Sequence, residues 1–267
     1  MGERGWEPAG ERGFGVAGTL DHGIVRELAA AAEAAGYATF WVNDVPNGEG
    51  LAGLAAAAVV TARIGLGVGV IPLDRQSPER IAARVADLDL PTERLLIGVG
   101  SGAPEGGLER VRRGVVALRA LSPARIAVGA LGPKMCRLAG ETADTVLLNW
   151  LTPAYVPPSA ALTLDAAAEA GRPRPWIVGY VRAALAEGLP RLEAEAARYA
   201  GFPAYAANFA RMGATALETT VQAADRAGIE AGLAPYLPRL DETVVRAIAA
   251  EETAASYLRL LAAAAPR

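Results

Sequence analysis

Short runs of apolar and β-branched residues recur along the chain, each followed by a longer Ala-rich stretch with helical spacing. The runs over 14–20, 39–44, 64–71, 95–100, 126–131, 145–150, 176–182 and 242–248 predict eight strands. Several are apolar at successive positions rather than alternate ones, as strands buried on both faces are. The stretches between them predict helices over 26–35, 51–62, 78–87, 107–120, 133–142 and 157–170, and a closing helix over 251–264. Ser77 before Pro78 is a cap followed by proline at the first helical position, and Gly36 is a helix stop. A longer helical stretch over 191–228 is interrupted at Gly201, Pro203 and Gly213. It reads equally as a lid, a dimer element or a doubled seventh helix. Eight βα units in one chain point to an α/β fold of the (β/α)8 barrel type, with parallel strands in a single domain over 13–267. A doubly wound sheet is disfavoured, because the first strand is not followed by a Gly-x-Gly-x-x-Gly turn.

Composition narrows the function classes. The chain has 267 residues, 52% hydrophobic and 21% charged, with a net charge of −3. It therefore offers no basic field for nucleic acid or for an anionic membrane. No apolar run is long enough to span a bilayer. Residues 1–12 carry both charge signs and no apolar core, so they read as a disordered extension rather than a signal peptide, and a cytoplasmic protein is expected. One cysteine and one histidine leave no disulfide framework and no metal-ligand spacing, so no metal is expected. His22 is expected on a surface loop, Cys136 as a buried thiol, Trp41 in the core, and Glu141 and Asp144 as solvated charges.

Active sites of such barrels lie at the C-terminal ends of the strands. The candidate mouth residues are Asn43 and Asp44, Gly69 and Val70, Gly100, Ser101 and Gly102, Gly129, Ala130, Leu131 and Gly132, then Asn149, Trp150 and Tyr180. The turn over 129–132 runs into a helix, whose free N–H groups suit a phosphate, and Lys134, the only lysine, stands in its first turn. Glycines over 98–102 let backbone approach a flat ligand. Asp44 is either a functional carboxylate or a cap of the next segment. Trp150 and Tyr180 fit an uncharged or aromatic substrate, while Arg75 and Arg182 are candidates for an anion.

Several of these segments carry a likeness. Residues 34–44 (AAGYATFWVND), 63–73 (RIGLGVGVIPL), 94–102 (RLLIGVGSG), 131–135 (LGPKM), 138–141 (LAGE) and 143–150 (ADTVLLNW) resemble the luciferase-like monooxygenase superfamily of flavin- and deazaflavin-dependent (β/α)8 barrels. The likeness is carried by motifs up to Trp150 and by the order of elements beyond it. It implies a cofactor across the barrel mouth, coenzyme F-420 as first choice or FMN. Its phosphate would lie on the turn at Gly129, Ala130, Leu131 and Gly132, with Lys134 beside it. Asp44 would contact the ring, Ser101 and Gly102 would flank it, and a non-proline cis peptide is implied at Gly69–Val70. Relatives that oxidise sugar phosphates carry a His after the matching Asp and a Glu after the matching Gly-x-Gly. Here Val45 and Ala103 stand at those places.

The resemblance implies an oxidoreductase that transfers hydride between F-420 and a small organic substrate, with no catalytic side chain assigned. The alternatives are an FMN-dependent monooxygenase and a degenerate, non-catalytic flavin-binding barrel. The expected partners are a small-molecule substrate and, through Ala-rich helices, a second copy in a homodimer.

Overall fold

The computed structural model describes residues 12–266. The expected N-terminal extension thus falls almost wholly outside the described residues, and Arg12 already opens the first strand. The strands are β1 (Arg12–Ala17), β2 (Thr39–Asn43), β3 (Gly65–Pro72), β4 (Leu95–Gly100), β5 (Arg125–Ala130), β6 (Thr145–Asn149), β7 (Trp176–Leu185), β8 (Val221–Ala223) and β9 (Glu242–Ala247). The helices are α1 (His22–Ala34), α2 (Gly50–Ala58), α3 (Pro78–Asp87), α4 (Gly107–Leu121), α5 (Pro133–Thr142), α6 (Val156–Glu169), α7 (Leu189–Ala200), α8 (Pro203–Met212), α9 (Arg226–Leu233) and α10 (Ala254–Ala263). All strand pairings are parallel. β1 through β7 pair in sequence, β7 pairs β9, and β9 pairs β1, which closes an eight-stranded (β/α)8 barrel in a single domain.

β8 is not a stave of that barrel. β6 ends where Asn149 pairs Tyr180, while β7 continues to Leu185. β8 pairs the freed edge of β7 at Ala183, Ala184 and Leu185. The sequence placed this segment inside a helical stretch. Three residues are too few to show a period, and the strand exists because β7 outruns its neighbour. The interruptions in that stretch are real: α7 ends at Ala200, α8 starts at Pro203, and Gly213 ends it with φ +63°.

Other boundaries moved for identifiable reasons. Asp21 accepts the N–H groups of Gly23 (2.7 Å) and Ile24 (3.3 Å), so α1 begins at His22 rather than four residues later. His22 is exposed, in a first helical turn rather than on a loop. The helix expected to reach residue 62 stops at Ala58. Beyond it, Glu33 accepts the N–H groups of Ala62, Arg63 and Ile64, and the buried Arg94 guanidinium donates to the carbonyls of Ala58, Thr61 and Ile64. Those bonds replace further helical turns. Thr253 caps α10, so Glu251 and Glu252 precede that helix instead of starting it.

The main core lies between the barrel and its ring of helices. A second cluster fills the barrel itself: Trp41, Leu96, Ala127, Leu147, Val178, Tyr180 and Val244. Trp41 fits because Gly67 opposite it has no side chain; a Cβ there would sit 2.4 Å from the indole. Side chains alternate between the two faces of a strand. Counting in twos from this filled layer therefore identifies what stands at the mouth.

Candidate functional site

The inward rows of β3, β4 and β5 reach the mouth at Gly69, Gly100 and Gly129, and those of β2 and β6 at Asn43 and Asn149. Those of β7 and β9 reach it at Arg182 and Arg246. The mouth is thus divided into a glycine side and an arginine side.

On the glycine side lies a cleft of about 270 Å³. The peptide bond Gly69–Val70 is cis, at the position the resemblance implied, and the register between β3 and β4 shifts there. The Val70 side chain turns over the neighbouring strands. A Cβ on Gly100 would meet its methyls at 2.9 Å, one on Gly129 at 3.0 Å and one on Gly98 at 3.2 Å. The glycines of β4 and β5, expected to admit a ligand, first make room for Val70. The carbonyl of Gly69 accepts from Asn43 Nδ2 at 2.5 Å. Tyr180, only 3% exposed, lines the cleft beside Gly69, and its hydroxyl has no hydrogen-bond partner. Burial holds the phenol well above its ordinary pKa, so it remains a proton donor.

Asp44 also lines the cleft, with both oxygens engaged. It accepts from the Gly50 N–H at 3.2 Å, at the start of α2, and from Arg75 at 3.1 Å. Burial raises its pKa, against the pull of the Gly50 bond and the Arg75 charge. It therefore does the capping expected of one reading while standing in the cleft expected of the other. Arg75, a candidate for an anion, is its ion-pair partner. Ser101 and Gly102 lie next along the rim. Gly102 has φ +66°, and a Cβ there would collide with Asp74, which also accepts the Ala103 N–H at 2.8 Å.

The turn before α5 is divided. Gly129, Ala130 and Leu131 line the cleft; Gly132 and Lys134 do not. Lys134 is exposed on the first turn of α5. The cation beside this turn is Arg211 of α8, which donates to the Leu131 carbonyl at 2.9 Å. No local pattern in the sequence signals that α8 folds back to reach it. Trp150, expected as a pocket wall, is 1% exposed and lies outside the lining, packed on Tyr199 and Phe209. Cys136 is buried, which pushes its thiol up to about 11. Asp144, expected to be solvated, accepts the Ile126 N–H and pairs with Arg119.

On the arginine side lies a cavity of about 520 Å³ that shares Asn43, Val45 and Tyr199 with the cleft. Arg182 and Arg246 are partners in the β7–β9 register. Arg182 donates to Glu195 of α7 at 2.7 Å and to Asn149 Oδ1 at 2.7 Å, with its guanidinium 3.8 Å from the centre of the Trp150 ring. Arg246 donates to Asn43 Oδ1 at 2.6 Å. Each arginine fixes the orientation of an asparagine amide. Asn43 then presents its nitrogen to Gly69, so the two sides are joined through one side chain. α7 and α8 cover this region, and Tyr199, Ala204 and Tyr205 reach the cleft from them. Among the described residues, no cluster of His, Cys, Asp and Glu is placed to hold a metal ion, and no helix is long and apolar enough to cross a membrane.

Residues 8–110 match the sequence pattern of the luciferase-like monooxygenase family. No curated protein matches the chain at a significant level. Among solved structures, an F-420-dependent secondary alcohol dehydrogenase in complex with an F-420–acetone adduct superposes with a TM-score of 0.72 at 15% identity, covering 89% of this chain and 92% of that one. The F-420-dependent tetrahydromethanopterin reductase from Methanopyrus kandleri gives 0.66 at 17%, covering 93% and 96%. The oxygenating constituent of the 3,6-diketocamphane monooxygenase of Pseudomonas putida, in complex with FMN, gives 0.66 at 15%, covering 90% and 91%. At these identities the shared property is the fold. The likeness to the luciferase-like monooxygenase family is thus carried in sequence by residues 8–110, and over the rest of the chain by the barrel fold.

Proposed function

We propose that the chain is an oxidoreductase that transfers hydride between coenzyme F-420 and a small organic molecule. The observation that carries this reading is the buried, unpartnered Tyr180 hydroxyl on the wall of a glycine-sided cleft. A buried polar group without a partner is costly, and a bound ring edge bearing oxygen or nitrogen would satisfy it. Among the described residues, the cleft lining contains neither His nor Cys, and its only carboxylate, Asp44, is committed to Gly50 and Arg75. The redox chemistry would therefore come from the bound group, a deazaflavin that gives or takes a hydride.

The residues of this chain would bind and orient that group. Val70 supports one face of the ring, Tyr180 donates to its polar edge, and Ser101 and Gly102 flank it. The backbone at Gly129, Ala130 and Leu131, with Gly132 capping α5, receives the phosphate near the positive end of the helix. Arg211 supplies the nearby positive charge, and Lys134 adds to it from the exposed turn. Tyr199, Ala204 and Tyr205 shield the cleft from water. Asn149 faces the position of a substrate. The FMN-dependent monooxygenase is the second reading, supported by the same phosphate turn and by the FMN-bound neighbour.

The test is anaerobic mixing of the protein with reduced F-420 and a panel of carbonyl compounds, following the deazaflavin absorbance. Return of the oxidised band in the presence of a carbonyl supports hydride transfer. Oxygen consumption with reduced FMN, and silence with reduced F-420, supports the monooxygenase. Silence in both leaves the degenerate barrel.

A further inference from the structure

The arginine-side cavity has a charge imbalance that the proposed cofactor cleft does not use. Among the described residues, four arginines stand on its walls, Arg182, Arg191, Arg198 and Arg246, against two carboxylates, Glu195 and Glu252. Arg182 pairs with Glu195 at 2.7 Å and Arg191 with Glu252 at 2.8 Å. Arg246 and Arg198 then remain without an ion pair among the described residues. Arg246 is the more telling, because it is only 6% exposed. Its hydrogen bonds go to neutral acceptors, Asn43 Oδ1 and the Ala247 carbonyl, and the Glu195 charge that faces it is already paired with Arg182. Arg198 makes no hydrogen bond among the described residues; it lies 5.4 Å from the centre of the Tyr199 ring and within the field of Glu195. Glu195 is the carboxylate that Arg182, Arg246 and Arg198 share, so among the described residues the buried cluster holds more guanidinium charge than carboxylate charge, which is unfavourable unless something anionic completes it. This surplus of two positive charges sits in a chain whose net charge is −3, so it is local rather than a general bias.

The geometry points to an anionic substrate: we propose that this cavity takes the carboxylate or phosphate group of the molecule that meets the cofactor in the adjoining cleft. The inference rests on the cofactor reading above. A guanidinium presents a planar fork that matches such oxyanions, and Arg246 is held at a fixed angle by Asn43. Asn43 and Tyr199 belong to both cavities, so a molecule anchored at Arg246 would place its remainder over the glycine side. Tyr257 and Tyr199 on the cavity wall give the organic part an apolar contact.

The probe is benzoate, with benzamide as its neutral match, titrated calorimetrically into the full chain with and without F-420 or FMN. Benzoate is expected to bind at least about tenfold more tightly than benzamide, as a charge-assisted pair should. Arg246→Gln should abolish that preference. Arg198→Ala, at an exposed and unbonded side chain, should reduce it severalfold and keeps the test open if the first variant does not fold. Arg198→Ala should leave cofactor affinity unchanged. Equal binding of benzoate and benzamide, or a preference that survives Arg198→Ala together with Arg246→Gln, overturns the proposal. Loss of cofactor binding in Arg198→Ala, with benzoate competing against the cofactor, also overturns it, because the cavity would then hold the cofactor's own anionic group. If neither cofactor binds while the benzoate preference persists and depends on these arginines, the anion site stands and the cofactor reading fails.

Discussion

Across the mouth, β3, β4 and β5 end their inward rows in Gly69, Gly100 and Gly129, whereas β7 and β9 end theirs in Arg182 and Arg246. The glycine side carries one carboxylate, Asp44, already paired with Arg75, and among its described residues one buried side-chain polar atom without a partner, the Tyr180 hydroxyl. The arginine side is crowded with charge and largely bonded already, to Glu195, Asn149 and Asn43. The contrast separates two kinds of recognition on one scaffold. Shape and a single polar contact suit a flat ring; fixed charge suits an anion. A barrel can carry both because each strand contributes its last inward residue independently of its neighbours.

The sharpest break of this comparison is Arg182→Met. It removes a nearly buried ion pair with Glu195, which is 15% exposed and held below its ordinary pKa by Arg246 and Arg182 despite its own burial, and it takes away the donor to Asn149 Oδ1. Loss of about 3 kcal/mol is expected in urea denaturation. A change within error would mean that the arginine side is not structurally bonded.

Next comes the barrel floor, where Glu242 of β9 lies beneath both sides. It is fully buried, accepting from Thr39 and from Trp41 Nε1. Burial pushes its carboxyl up from 4.5 to about 7, against those two donors. The native state therefore keeps a proton that the unfolded chain loses near its ordinary pKa. The associated stability is complete below about pH 4.5 and is lost as pH rises to about 7, a change of about 3 kcal/mol. Glu242→Gln should flatten that slope, read from denaturation midpoints between those pH values. An unchanged slope would place the titration elsewhere.

Gly129→Leu tests the glycine side directly. Its Cβ would press on Val70, costing about 2 kcal/mol in thermal stability, and its branch would fill the cleft. Cofactor affinity should fall by more than about tenfold, while benzoate binding on the arginine side survives. Parallel loss of both would join the two sides into one site. The smallest effect is expected from Tyr180→Phe. Removing an unpaired buried hydroxyl should leave stability within about 0.5 kcal/mol, yet weaken the cofactor severalfold. A substantial loss of stability instead would mean that the hydroxyl is already satisfied by the protein.

The glycine side was legible in the sequence, whereas on the arginine side only Arg182 was, for a physical reason. Strand β4 lies at 95–100 and helices α3 and α5 at 78–87 and 133–142, as their patterns predict. Local signals wrote them: a Ser-Pro cap, a Gly-Pro turn, a continuous apolar run. The cleft residues on β3, β4 and β5 follow from the ends of those strands. Arg246 lies two residues beyond Val244 on an otherwise apolar strand, so counting in twos from the core would have aimed it inward. Glu195, Arg198 and Arg211 carry no such signal. They sit on α7 and α8, and only the fold-back of those helices over the mouth brings them to it. Asp144 shows the same limit on a smaller scale, since its role is to receive a backbone N–H from β5.

The most direct measurement is calorimetric titration of the full chain with F-420 and, separately, with FMN, repeated on Gly129→Leu. The expected result is micromolar or tighter binding of F-420 that Gly129→Leu removes; the same pattern with FMN alone would shift the chemistry to the monooxygenase. Binding of neither, by a folded protein, would contradict the assignment of the glycine side as a cofactor cleft.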